Sequence, residues 1–159
     1  MNKKKPKVEF RYYEMPNNEV VLALLGEDKW RIEYGIGIDF LHFHNFLEVG
    51  YCYEGTGAVI LDDQSIRFEA DVFMIIPPNF SHTTNSDKGV KGYWEWMYLD
   101  TEKCLNEIYK NDVVFVQKQL AKIHHKALFL YAKDHPVLVN IIQNIMREMR
   151  KKDLYYNEK

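Results

Sequence analysis

Between residues 20 and 99 the chain is a succession of short apolar or alternating runs, each closed by turn residues. That rhythm confines it to a β-sandwich or a closed β-barrel. Residues 20–25 form an apolar run closed by Gly26-Glu27-Asp28. Trp30-Arg31-Ile32-Glu33-Tyr34 alternates apolar and charged residues, as a strand with one solvated face does. Residues 40–53 make a long, aromatic-rich strand. It ends at Glu54-Gly55-Thr56-Gly57, where glycine supplies the positive φ of a tight turn. Residues 58–61 and 65–68 flank a polar turn at Asp62-Asp63-Gln64. Residues 72–76 are apolar throughout, which predicts a strand buried on both faces. Pro77-Pro78 closes that run, because proline has no N–H to give a ladder. A polar loop over 86–92 leads to residues 93–99, a strand built almost wholly of aromatic and large apolar side chains.

The remainder reads mostly as helix. Asp100 or Thr101 caps a helix through Tyr109, residues 113–116 form a short strand or connector, and residues 117–133 read as helical. Pro136 suits the first turn of a last helix, in which Leu138, Ile141, Ile142, Ile145, Met146 and Met149 recur at helical spacing. Arg147, Arg150, Lys151 and Lys152 follow, where the helix dipole favours cations. The fold class is therefore mainly β with C-terminal α, a sandwich or closed barrel within 1–99 and a helical segment over 100–159.

Charge and cysteine content remove several functions. The net charge is −2, so a free-standing DNA-binding surface, which is usually basic, is not expected. The run Lys3-Lys4-Lys5 with Lys7 reads as a solvated terminus. Cys52 and Cys104 form no CxxC pair, which argues against a zinc knuckle or redox motif. Cys52 lies in an apolar strand and reads as a small buried hydrophobe. Residues 8–19 are too polar for a signal peptide, and no run approaches the roughly 18 apolar residues of a membrane span. The expectation is a soluble, cytoplasmic protein.

The chemistry concentrates in His42, His44, Glu48 and His82. His42 and His44 are two apart, so in a strand both point to one face, and Glu48 joins that face if the strand runs unbroken. Closing a barrel brings His82, beyond the double proline, against them. Three imidazoles and a carboxylate suit Zn, Fe, Mn or Ni. Polar core histidines without metal are the plainer alternative.

These residues carry a resemblance. His42-x-His44-x-x-x-Glu48 followed by Gly55 is similar to the first motif of the cupins, with Gly35 or Gly37 near the glycine that normally precedes it. Pro77-x-Asn79-x-x-His82 is similar to the second motif, with Asn79 and Ala70 standing where glycine is usual. Residues 30–150 resemble, more narrowly, the N-terminal domain of AraC-type transcription regulators. The stretches that carry this likeness are His42 to Glu48, Glu54 to Gly57, Ala70 to Pro78, Tyr93 to Leu99 and His135 to Glu148. The resemblance implies a cupin (double-stranded β-helix or jelly-roll) barrel followed by two or three helices. It implies a small-molecule effector, with a sugar as the family-based guess, and a homodimer formed through the C-terminal helices. It also implies that DNA is bound only by a further domain not in this chain.

Within that frame Trp94, Trp96 and Tyr98 share one strand face and either line the cavity or fill the core. Thr84 shares the face of His82 and could hydrogen-bond a ligand beside it, and Thr83 and Asn85 flank it. The candidate ligand-binding set is Trp94, Trp96, Thr84, Tyr98 and His82. Tyr12 and Tyr13 belong to an arm that packs on the barrel or folds over the effector. The stripe Leu138, Ile142, Ile145, Met149 docks on the barrel, pairs with its twin, or does both. His124, His125 and His135 read as surface or capping residues. The leading function is an effector-sensing module that needs no cofactor, although its motif could hold a divalent metal. The alternative is a metal-dependent cupin enzyme, an oxygenase, isomerase or decarboxylase.

Overall fold

The turn residues of the sequence cut the chain into strands, and these pair into two sheets that share a core. A computed structural model describes residues 7–36, 40–110 and 112–156. The first sheet has the order β1 (Lys7–Arg11), β4 (Phe40–His44), β9 (His82–Ser86), β6 (Gly57–Leu61) and β7 (Gln64–Phe68). The second has the order β11 (Leu128–Tyr131), β8 (Val72–Ile76), β5 (Leu47–Glu54), β10 (Gly92–Leu99) and β2 (Val21–Leu24). The short β3 (Arg31–Ile32) also pairs with β10. Every pairing is antiparallel except β1 with β4. The architecture is a jelly-roll barrel with C-terminal helices, as the strand rhythm and the resemblance required.

Alternation along the strands divides the apolar residues between two cores. Inside the barrel, Val59, Leu61 and Phe68 from the first sheet meet Cys52, Met74, Ile76, Trp94 and Trp96 from the second. Outside the second sheet, Leu47, Val49, Tyr51, Phe73 and Met97 meet Ile142 and Met146 of the last helix, α4 (Pro136–Tyr156). β5 and β8 are therefore covered on both faces, which accounts for their almost continuous burial and their apolar sequence. Leu138 and Ile145 pack on the same outer core. This docking occupies the stripe that the sequence offered, and it leaves Val137 and Ile141 of α4 exposed.

Two further helices connect barrel and α4. In α2 (Thr101–Ile108), Asp100 is the N-cap and accepts from Lys103 N at 3.0 Å. In α3 (Val113–Ile123), Asp112 does the same for Phe115 N at 3.0 Å.

Several boundaries differ from the sequence reading, each for a tertiary reason. Lys7 belongs to a strand, because β1, in which Val8 and Phe10 alternate with charged residues, finds β4 as a partner. Residues 27–30 form a single helical turn, α1 (Glu27–Trp30), so the expected strand over 30–34 shrinks to Arg31–Ile32. Residues 113–116 begin α3, while residues 128–131 are extended, paired to β8 rather than helical. The expected 40–53 strand breaks at Asn45-Phe46, and its halves join different sheets. Lys3, Lys4, Lys5 and Gly37 lie outside the described residues.

Asn79 adopts φ 62°, the left-handed backbone that the cupin glycine would take, and Asn tolerates it. Beside Ala70, the left-handed position falls on Asp71, at φ 61°. No described helix is long and apolar enough to cross a membrane.

Candidate ligand cavity and metal centre

The break at Asn45-Phe46 assembles the site. It places His42 and His44 on β4 of one sheet and swings Glu48 onto β5 of the other, where the inward positions of the strand face them. His82 arrives on β9 directly opposite His42 in the antiparallel register, with ring centroids 4.3 Å apart. Glu48 thus meets the imidazoles across the barrel, not along one unbroken strand. Candidate ligand atoms of all four side chains lie within 4.8 Å of one another. His44, Glu48 and His82 are buried, at 0%, 2% and 1% exposure.

The tautomers follow from the neighbours. His44 Nδ1 lies 2.8 Å from Phe46 O, and His82 Nδ1 lies 2.9 Å from Phe80 O. A carbonyl only accepts, so both Nδ1 atoms carry hydrogen, and in the neutral rings both Nε2 lone pairs turn inward. There they meet Glu48, with His44 Nε2 at 2.8 Å from Oε2 and His82 Nε2 at 3.5 Å from Oε1. The close approach is not a well-directed hydrogen bond: both Nε2 atoms and Glu48 Oε1 are buried without a hydrogen-bond partner. Lone pairs facing a carboxylate in a dry interior require a cation between them, either a proton or a metal ion. Burial alone would raise the Glu48 carboxyl, but the imidazoles of His82 and His44 hold it well below the usual carboxylate range. Burial opposes a charge on His82, and Glu48 overrides it and raises the imidazole. Burial, and then the neighbouring His82, push His42 down to about 3. Two oriented imidazoles, a third kept neutral and an ionised carboxylate fit a divalent metal of the zinc, iron, manganese or nickel type.

The cluster opens into a cavity of about 390 Å³, and His42, Glu48 and His82 form part of its wall. Thr84, Trp96 and Tyr98, expected from the sequence, line it as well. Trp94 does not: it is fully buried, stacked on Trp96 with centroids 5.0 Å apart and edge-on to Phe68. Its indole supports Trp96 from within the core. Thr83 lines the cavity and Asn85 does not. Arg11, Trp30, Glu33 and Tyr34 also line it, and sequence reasoning missed them. For Trp30 and Tyr34 the signal in the sequence is the aromatic density of residues 30–34; Arg11 carries none.

The N-terminal arm closes one side. Tyr13 stacks on Tyr98 at 4.0 Å, with its hydroxyl 3.0 Å from that of Tyr98. Asn45 clamps the Tyr13 backbone through two hydrogen bonds of 2.9 Å each. Tyr12, the next residue back, is 71% exposed. His124 caps α3 and pairs with Thr101 Oγ1 at 3.0 Å, away from the cavity.

A family model described as the AraC-like ligand binding domain matches residues 36–157. The chain belongs to that family. It is a ligand-binding domain of the AraC type, and the matched span holds His42, His44, Glu48 and His82 and about half of the cavity lining. No curated protein matches it in sequence. Among solved structures, it is similar to a cupin protein from Bacteroides fragilis, with 16% identity over 55% of this chain and 83% of that one and a TM-score of 0.39. It is also similar to two ToxT structures from Vibrio cholerae. An apo variant gives 12% identity over 80% of this chain and a TM-score of 0.45. Wild-type ToxT with bound unsaturated fatty acid gives 11% over 82% and a TM-score of 0.48. The chain spans about half, 48%, of either ToxT chain.

Proposed function

We propose that this AraC-like domain is the effector-sensing part of a transcription regulator and holds a small polar metabolite, such as a sugar, in the barrel cavity. The observation that carries the reading is the cavity itself, which joins an aromatic wall to a set of unsatisfied polar groups. Trp96 and Tyr98 offer flat apolar faces to a ring. Thr84 and Thr83 offer hydrogen-bonding groups beside them, and His82 would reach the ligand through the cation it holds. Trp94 contributes by fixing Trp96. DNA contact belongs to a part of the regulator other than these residues.

A divalent cation at His42, His44, Glu48 and His82 completes the site in this reading, supported by the orphaned Nε2 atoms. Bound there, it would act as a Lewis acid and a ligand anchor. The residues orient one another and exclude water. A metal facing the cavity is also what an enzymatic cupin needs, and that observation is the ground for the second reading. The subunits pair through the apolar groups that the C-terminal helices leave exposed, Val113 and Val114 on α3 and Val137 and Ile141 on α4.

Thermal-shift screening against sugars and other small metabolites tests the proposal, since a ligand selective for the folded state raises its stability. A hit is expected to weaken at least tenfold in Thr84→Val and to be recovered unchanged from the mixture. Recovery of a converted product would replace the sensor with the enzyme. Titration with Zn²⁺, Ni²⁺ or Mn²⁺ is expected to show one site per chain, lost in His82→Ala. Equal uptake by the variant would remove the metal from the proposal.

A further inference from the structure

The outer face of β10 carries a polar group in an apolar seat. Glu95 is fully buried, on the same sheet face as Met97 and beneath α4. It accepts from Tyr93 OH at 2.7 Å on Oε1 and from Tyr53 OH at 3.0 Å on Oε2, and Arg150 of α4 closes an ion pair with it. The Tyr53 hydroxyl also lies 3.9 Å from Met146 Sδ, and the rings of Tyr53 and Tyr93 stack at 4.9 Å. A buried ion pair contributes little that well-packed apolar side chains could not supply. What it adds is orientation: the oily contacts of Ile142 and Met146 tolerate rotation and sliding, whereas Arg150 has one carboxylate to reach. Arg150 keeps 44% exposure, so its side of the pair can open to water.

The same strand touches the cavity. Trp96, one residue beyond Glu95, lines it. Tyr93, two residues before, pairs in register with Arg31, whose guanidinium lies over the Tyr93 ring at 5.3 Å. Arg31 also pairs with Glu54. The next residues, Ile32 and Glu33, are cavity lining. An unbroken chain of contacts therefore runs from the cavity lip through Arg31, Tyr93 and Glu95 to Arg150.

We propose that Glu95 and Arg150 form a latch through which the cavity lip sets the seating of α4. With the latch closed, the C-terminal half of α4 lies fixed on the sheet. With it open, that half loosens while the first turns stay held by Ile142. The pinning stands on these contacts alone, and its use as a signal rests on the effector-sensing reading above.

Hydrogen exchange on the full chain tests both parts. Glu95→Gln and Arg150→Met are expected to speed exchange of amides 147–152 at least tenfold, with β5 and β8 unchanged. Arg31→Leu, at the lip, is expected to speed the same amides several-fold. Lys151→Ala, whose partner is Glu148 on the helix surface, is the control and is expected to leave exchange of amides 147–152 within about twofold of the native chain. Unchanged α4 exchange in the first two variants, or a rise shared equally by β5 and β8, would overturn the latch. An Arg31→Leu chain with wild-type α4 exchange would overturn its link to the lip. None of these outcomes depends on an effector, so an empty metabolite screen would count against the sensor without touching the latch.

Discussion

Gly50 shows how one missing side chain shapes the cavity wall. It pairs with Trp96 across β5 and β10, and a Cβ at Gly50 would stand 2.5 Å from Trp96 Cζ3. The indole lies flat only because the position is bare. Gly50→Ala is expected to cost about 1–3 kcal/mol by overpacking, read as a lower midpoint in chemical denaturation. It should weaken any ligand held by Trp96. Glycine in a buried strand was a weak signal, since the sequence could not name the ring that needs the room. His42 and His44, by contrast, were legible as a pair from their even spacing, whereas Glu48 joins them because the strand breaks at Asn45-Phe46. The inward tautomers were not legible, because they depend on the carbonyls of Phe46 and Phe80.

At the scale of elements, α4 is held chiefly by Ile142 and Met146. Met146 is fully buried against the outer face of the second sheet. Met146→Ala is expected to cost about 2–5 kcal/mol, with the far-ultraviolet signature of the strands kept at low denaturant. The helical spacing of this stripe marked an apolar face for docking or pairing; Leu138, Ile142, Ile145 and Met146 dock on the sheet, and Ile141 stays exposed. The β9–β10 turn is tied down differently. Asp87 accepts from Thr56 Oγ1 at 2.7 Å and from Arg67 at 2.6 and 2.7 Å. Arg67, followed by Thr56, holds the Asp87 carboxyl well below its usual range. A depressed folded value means the contribution is present above the unfolded value and is lost as pH falls through the folded one. The gap in midpoint between the native chain and Asp87→Asn should therefore be small and constant near neutrality and vanish in strong acid. A gap that widens in acid would contradict the assignment.

For the whole molecule, the exposed apolar groups of the C-terminal segment have a consequence in solution. Val114 is 81% exposed and Val113 64%, beside Ile108 at 63% and Tyr109 at 43%. These are the apolar side chains through which the proposed pairing of subunits would run. Sedimentation is expected to show a concentration-dependent dimer that Val114→Lys shifts toward monomer. A monomer across the accessible range would remove the dimer from the proposed function.

The sequence by itself determined the strand rhythm, the change from strand to helix near Leu99, the amphipathic last helix and the shared face of His42 and His44. All of these are written in local patterns of apolar spacing and turn chemistry, which act over a few residues, while Glu48 and His82 were reached through the motif resemblance. Tertiary structure alone decided which sheet each half of residues 40–53 joined, that β1 pairs with β4 and β11 with β8, that Trp94 packs between Trp96 and Phe68, and that Arg150 reaches Glu95. Those outcomes depend on partners 20 to 55 residues away, as in Cys52 with Val72 and Arg150 with Glu95. A pairing partner or a buried counter-charge at that distance leaves no periodic trace in the segment that needs it.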